Sequence, residues 1–280
     1  MVYLNGKYIE KDKAFVSVMD RGFLFGDSVY EVIPVYKGNI FCIKPHLNRL
    51  SESLKAINIP NPYTFEQWNE ILQQLIDYHP QYNNQSIYLQ VTRGCDTDRK
   101  HTYDILKPTV YMQSSPFEVV RKEDFLKGVS AITRDDIRWS QCNTKVTSLL
   151  ANIMYAQEAK QNNVEDVILC RDNIVTECSS SNIFIVKNGC VYTHPKGPHI
   201  LPGITREVVL ECANYCGINI EEVPTSKEDL FDADEVWVSS STREVLPITK
   251  IDDVLINQGQ AGELWSLVYD RFQVEKSLNV

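Results

Sequence analysis

No basic block stands out in this 280-residue chain. Its 28 Lys and Arg are outnumbered by 37 Asp and Glu, for a net charge of −9. A general nucleic-acid surface needs clustered Lys and Arg to neutralise phosphates, so the charge balance argues against that class. The same deficit argues against docking on anionic membranes. No run is long and apolar enough to span a bilayer. The opening MVYLNGKYIEKDK has no apolar core of a signal peptide, so a cytoplasmic protein is expected. The 8 cysteines form no C-x-x-C pair, and reduced thiols are expected. Cys212 and Cys216 lie four apart on an expected helix with no matching His pair, which reads as buried cysteines and not a metal site. The 5 histidines (46, 79, 101, 194 and 199) lack ligand spacing, so no metal is expected. Dinucleotide, Walker A, zinc-protease and nucleophile-elbow motifs are missing too.

What is present is ordinary globular material, 43% hydrophobic and 23% charged. VYLNGKYIE carries an Asn5-Gly6 hairpin signal, and VYEVIPVYKGNIFCI turns at Lys37-Gly38-Asn39. HLNRLSESLKAINI places Leu47, Leu50 and Leu54 on one helix face, and FEQWNEILQQLIDYH is a second amphipathic helix. IYLQVTRG and TVYMQSSPF read as strands. These make an N-terminal α+β domain over residues 1–117. The charged, aperiodic EVVRKEDFLKG is expected as a linker at 118–128, with a C-terminal domain over 129–280. There, NTKVTSLLANIMYAQEAK predicts a helix with a buried stripe of Leu149, Leu150, Ile153 and Met154, and with Lys145 one turn earlier on the same side. DVILCR and NIVTE turn at Asp172-Asn173, and NIFIV and CVYTH form a hairpin across Asn188-Gly189. TREVVLECANYCG is a helix closed by Gly217, and DEVWVSSS is a strand.

Four stretches leave two readings open. Lys145 is either a lysine snorkelling past a helix end or an amine desolvated enough to act as a nucleophile. VTECSSSNIF is a polar turn between strands, or a carboxylate, Glu177, at a strand end followed by hydroxyls that line a site. In HILPGITRE, Gly203 before a helix starting near Thr205 gives an N-cap, or free N–H groups and a hydroxyl suited to a phosphate. The SSST loop at 239–242 can add hydroxyls to that phosphate. TRGCDTDRKHTY gathers Arg93, Arg99, Lys100 and His101 in an acidic chain, as a solvated loop or a carboxylate trap.

Together these stretches resemble the class IV, or fold-type IV, pyridoxal 5'-phosphate (PLP) aminotransferases. The likeness runs from DRGFLFGDSVYEV through RWSQCNTK to the SSST loop. It includes Glu177, Ser179, Asn182, Ile183, Phe184, Val191, Thr193, Leu201, Gly203, Ile204 and Arg206 at the family's spacing. The resemblance implies an α+β, two-domain PLP enzyme: a smaller N-terminal α/β domain, a larger C-terminal mixed-sheet domain, and the cofactor between them. Lys145 is implied as the lysine that binds PLP as an imine and then serves as acid and base. Glu177 is implied at the pyridine nitrogen. Arg49, Ile204, Thr205, Ser240 and Ser241 are implied at the phosphate. Tyr30, Arg99 and His101 match a trap for the substrate α-carboxylate, on a loop that in the family crosses a homodimer interface.

Within the family the likeness is greatest to members acting on D-amino acids. The implied reaction is D-alanine plus 2-oxoglutarate giving pyruvate plus D-glutamate. D-Amino acids and 2-oxo acids are thus the expected partners, with a homodimer and neither nucleic acid nor membrane. The alternatives on the same fold are a branched-chain L-aminotransferase, a 4-amino-4-deoxychorismate lyase, or a ligand-binding protein without activity. Cys178 stands where relatives often carry Gly, Pro202 stands where Lys is common, and the loop before Arg99 is one residue longer than in similar members.

Overall fold

The structure is a computed structural model that describes residues 1–119 and 121–278. It divides into two compact units. One comprises Met1–Glu118 with Thr144–Leu149, the other Val119–Asn143 with Leu150–Leu278.

Among the described residues, the first unit is built on a six-stranded antiparallel sheet: β1 (Val2–Leu4), β2 (Lys7–Ile9), β3 (Ser28–Tyr36), β4 (Asn39–Ile40), β5 (Asn84–Thr92) and β6 (Thr109–Pro116), in the order β2-β1-β6-β5-β3-β4. The β1–β2 turn uses Asn5 and Gly6, both at positive φ, as the Asn-Gly signal predicts. Helices α1 (Arg21–Phe25), α2 (Ile43–Ala56) and α3 (Phe65–Asp77) belong to this unit. α3 starts on a reciprocal cap between Thr64 and Gln67, and buries Trp68, Leu72, Leu75 and Ile76 at helical spacing. α2 buries Leu47, Leu50 and Leu54. These side chains share one core with Val29, Ile33, Ile87, Leu89, Val110, Met112 and Val146.

Val146 marks a departure from the sequence reading. Residues 144–149 are not helical. The segment pairs with the start of β3: Tyr30 N–H donates to the Lys145 carbonyl (3.0 Å), Thr147 N–H donates to the Ser28 carbonyl (3.0 Å), and Val146 sits opposite Val29. β-Branched Val146 and Thr147 suit an extended backbone better than a first helical turn. The helix begins only at Leu150.

In the second unit, α4 (Lys122–Phe125) precedes β7 (Val129–Asp135), and α5 (Leu150–Gln161) is the shortened helix. The expected buried stripe is absent from α5: Leu150, Ile153 and Met154 are 72%, 62% and 55% exposed. The helix instead turns Tyr155 and Ala159 inward, against Ile132, Val167 and Leu169. Ala151 and Val164, partly buried, pack against the same cluster.

The chain then runs through β8 (Asp166–Arg171), β9 (Ile174–Cys178), β10 (Asn182–Lys187), β11 (Cys190–Thr193), α6 (Ile204–Tyr215), β12 (Asn219–Glu222), β13 (Thr225–Ser226), α7 (Lys227–Phe231), β14 (Glu235–Ser240), β15 (Glu244–Ile251), β16 (Val254–Leu255) and α8 (Glu263–Leu278). The described strands form one mixed sheet in the order β12-β11-β10-β14-β15-β7-β8-β9-β13, with β16 on β15. Pairs β11–β12, β15–β7 and β7–β8 are parallel. Among the described residues no helix is long and apolar enough to cross a membrane, and no cluster of ligating side chains could hold a metal ion.

Candidate active site

In the first unit, Lys145 is held by its backbone. Its N–H donates to Ser53 Oγ of α2 (3.3 Å), and its carbonyl is fixed by Tyr30. Its Nζ lies 4.2 Å from the centroid of the Tyr30 ring, a cation–π contact. Two of the expected residues are therefore adjacent: strand pairing brings Lys145 to Tyr30, where a helix had been expected to carry it. Tyr30 also leans on Tyr88, with ring centroids 5.8 Å apart.

The next residue on β3, Glu31, points the opposite way, into the interior, and is fully buried. Its Oε1 accepts from Arg49 Nε (2.8 Å), and its Oε2 accepts from Arg49 Nη2 (2.7 Å) and His46 Nδ1 (2.8 Å). Burial opposes ionisation here, but Arg49 and His46 outweigh it and hold the Glu31 carboxyl down at about 2. The proton of the His46–Glu31 bond therefore resides on Nδ1. Burial lowers the proton affinity of His46, aided by the nearby charges of Arg49 and Lys145, although Glu31 favours the cation. Glu31 thus fixes the orientation of the Arg49 guanidinium. Sequence reasoning missed it, and a lone Glu inside an apolar strand was the available signal.

Arg99 and His101 are exposed and flank Phe25. The Arg99 guanidinium lies 5.0 Å from that ring's centroid, and the His101 ring packs edge-on with centroids 5.7 Å apart.

In the second unit, Glu177 is the penultimate residue of β9 and is buried. Its Oε1 pairs with Arg138 Nη1, and its Oε2 accepts from Asn182 Nδ2 (3.0 Å) and the Leu201 N–H (3.1 Å). Burial pushes the Glu177 carboxyl up to about 7, opposed by Arg138 and the Leu201 N–H and assisted by the negative Asp136. Arg138 is itself forked onto Asp136, with Nε–Oδ1 at 2.9 Å and Nη2–Oδ2 at 2.8 Å, and donates to the His199 carbonyl (3.2 Å). Asp136 and Arg138 were not singled out from sequence. Their signal is a D-x-R immediately after β7, which looks like any charged loop until Glu177 is placed beside it.

Asn182 joins Glu177 to the next feature. Its Nδ2 also donates to the Leu201 carbonyl (2.8 Å), in the turn that leads to Gly203 and α6. A Cβ at Gly203 would lie 2.0 Å from Asn182 Oδ1, so any other residue forces Asn182 to shift. Gly203 caps α6 without any side-chain acceptor, and Ile204 and Thr205 open the helix. The first N–H groups of such a helix favour an anion. Ser240 ends β14 and Ser241 follows it. Arg243 reaches Ser240 Oγ (3.4 Å), and also Ser180 Oγ (2.5 Å), Ser181 Oγ (2.8 Å) and Asp166 Oδ2 (3.1 Å). The two hydroxyl-bearing loops are thus tied through one guanidinium. The Ser239 hydroxyl is buried with no hydrogen-bond partner.

These residues fit the chemistry of PLP, unit by unit. The second unit offers a buried carboxyl with raised proton affinity, of the kind that can share a proton with a ring nitrogen. It also offers an uncapped helix start and hydroxyls suited to a phosphate. The first unit offers a primary amine and a guanidinium locked in orientation.

Residues 28–251 match the model of the family described as amino-transferase class IV. The chain is 41% identical over 273 residues to a D-alanine aminotransferase of Bacillus licheniformis, covering 97% of this chain and 95% of that protein. It is 39% identical over 276 residues to a D-alanine aminotransferase of Listeria monocytogenes, covering 98% and 95%. The fold is similar to the crystal structure of the branched-chain amino acid aminotransferase of Escherichia coli, with a TM-score of 0.89, 23% identity, and coverage of 98% and 93%.

Proposed function

The chain belongs to the class IV aminotransferases, and from that premise we propose that it moves the amino group of D-amino acids onto 2-oxo acids. D-Alanine and 2-oxoglutarate are the proposed pair, giving pyruvate and D-glutamate. The observation that carries this reading is the likeness to D-alanine aminotransferase over nearly the full length of both chains. The branched-chain enzymes share the fold at far lower identity.

Enzymes of this family use PLP, which when bound draws off the electron pair left at Cα as its proton departs. The roles proposed for this chain's residues follow from their chemistry. Lys145 takes the proton from the substrate Cα and returns it. Glu177 holds a proton at the ring nitrogen, with Arg138, Asn182 and the Leu201 N–H fixing its two oxygens. Arg49, Ile204, Thr205, Ser240 and Ser241 hold the phosphate. Tyr30, Arg99 and His101 hold the substrate α-carboxylate, and so decide which hand of amino acid presents its proton to Lys145.

We further propose a cytoplasmic homodimer. The exposed Phe15, Val16, Val18 and Phe23 supply apolar surface of the kind that a second copy would cover. Steady-state turnover of D-alanine with 2-oxoglutarate, compared with L-leucine, tests the substrate. Pyruvate release from D-alanine supports the proposal, and turnover of L-leucine without D-alanine overturns it.

A further inference from the structure

Arg21, at the start of α1, is only 4% exposed and takes no part in the roles assigned above. Its guanidinium donates to three successive backbone carbonyls: Lys100 (2.7 Å from Nη1), His101 (3.1 Å from Nη2) and Thr102 (3.5 Å from Nη1). One planar fork thus spans the backbone that carries His101 and follows Arg99 directly. The opposite edge is anchored, with Nε donating to Asp27 Oδ2 (2.9 Å). Asp27 is the residue immediately before β3, which carries Tyr30.

Asp27 is shared with a second buried arginine. Arg93 Nε donates to Asp27 Oδ2 (2.7 Å) and its Nη2 to Asp27 Oδ1 (2.9 Å). The same guanidinium donates to the carbonyls of Ile57 (2.7 Å) and Asn58 (3.0 Å), just after α2. It also lies 3.6 Å from the centroid of the Tyr103 ring, and Arg21 lies 5.4 Å from that ring. Residues 100–103 are therefore strapped at their backbone and at Tyr103 to a frame anchored beside β3 and α2. Within the same loop, one oxygen of Asp96 is buried without a hydrogen-bond partner, with Arg21 Nη1 3.9 Å from it and Lys100 Nζ 3.7 Å from the other oxygen.

An exposed loop holding two cations pays conformational entropy for any single geometry. Its carbonyls would otherwise bond to water and leave the loop free to move. A guanidinium serves three acceptors in one plane, which an ammonium cannot do from a single point charge. We propose that Arg21 is the positioning residue for Arg99 and His101, and through them for recognition of the substrate α-carboxylate. The proposal rests on reading those two side chains as the carboxylate trap.

The test compares the PLP-loaded Arg21→Lys, Arg21→Met and Arg99→Met enzymes on D-alanine and on D-alaninol, which lacks the carboxylate. Arg21→Lys keeps the charge facing Asp27 and Asp96 but loses the fork. It is expected to raise KM for D-alanine by about tenfold or more, the scale of one lost charge-assisted hydrogen bond, and to change kcat by less than about threefold. The half-reaction with D-alaninol should be nearly unchanged. Trypsin should cut after Arg99 and Lys100 faster in the Arg21 variants, with or without cofactor.

A raised KM in Arg99→Met but not in Arg21→Lys overturns the positioning role while leaving the trap intact. An unchanged KM in Arg99→Met overturns the trap and the proposal with it. Equal losses on D-alanine and D-alaninol make Arg21 a general structural residue and also overturn the proposal. Should Arg21→Met fail to fold, Arg21→Lys carries the test alone.

Discussion

Replacing Glu31 by Gln removes the negative charge that Arg49 and His46 both bond in the interior of the first unit. Glu31 is fully buried and accepts three hydrogen bonds from those two side chains. Its carboxyl lies at about 2 in place of the ordinary 4.5. At about 1.4 kcal/mol per pH unit, that depression corresponds to about 3 kcal/mol of stability at neutral pH. Breaking a buried ion pair by removing one partner costs about 3–5 kcal/mol, so the two routes agree. The sign is fixed by proton binding. Between pH 4.5 and about 2 the unfolded chain holds a proton on this group that the folded chain lacks, so stability falls as pH falls through that window. Equilibrium urea unfolding at pH 7 and at pH 3, read by circular dichroism, measures both effects. Glu31→Gln should lose about 3 kcal/mol at pH 7 and show a smaller further loss on acidification than the parent protein. A variant within about 0.5 kcal/mol of the parent at pH 7, the range of an ordinary surface substitution, would refute the reasoning.

Two further substitutions probe the second unit. Arg138→Met leaves Glu177 buried without its cation, while Asp136 keeps Arg171 (3.2 Å), at a cost of about 3 kcal/mol in thermal or chemical unfolding. It should also raise the proton affinity of Glu177 further, moving the acid limb of the kcat–pH profile to higher pH, and an unmoved limb would argue that Arg138 does not set that carboxyl. Gly203→Ala places a Cβ 2.0 Å from Asn182 Oδ1, at a φ of −67 that any residue adopts. The expected loss of about 1–3 kcal/mol is therefore steric, and a variant as stable as the parent would mean that Asn182 can leave Glu177 freely.

Much of the fold was legible because its causes are local. The Leu47-Leu50-Leu54 face and the turns at Asn5-Gly6, Asp172-Asn173 and Asn188-Gly189 are written within a few residues of where they act. Lys145 is the instructive failure. The apolar residues after it recur at helical spacing, yet the backbone of 144–149 is taken up by β3, more than a hundred residues earlier. Periodicity cannot register that partner. The same pattern misplaced the buried face of α5, where Tyr155 and Ala159 face inward and the aliphatic Leu150, Ile153 and Met154 do not.

The candidate site divides along the same line. Glu177, Gly203 and Thr205 could be picked out because they recur in a family pattern. The groups that orient the candidate residues, Glu31 for Arg49 and Arg138 for Glu177, are charged side chains distant in sequence or set in plain-looking loops. Only the folded chain pairs them.

The most direct measurement is a single half-reaction. The PLP-loaded protein is mixed with D-alanine or with L-alanine, without an oxo acid, and the visible absorption of the bound cofactor is followed. The account predicts rapid loss of that band with D-alanine, little change with L-alanine, and no such band in Lys145→Ala. Loss of the band with L-alanine alone would contradict it.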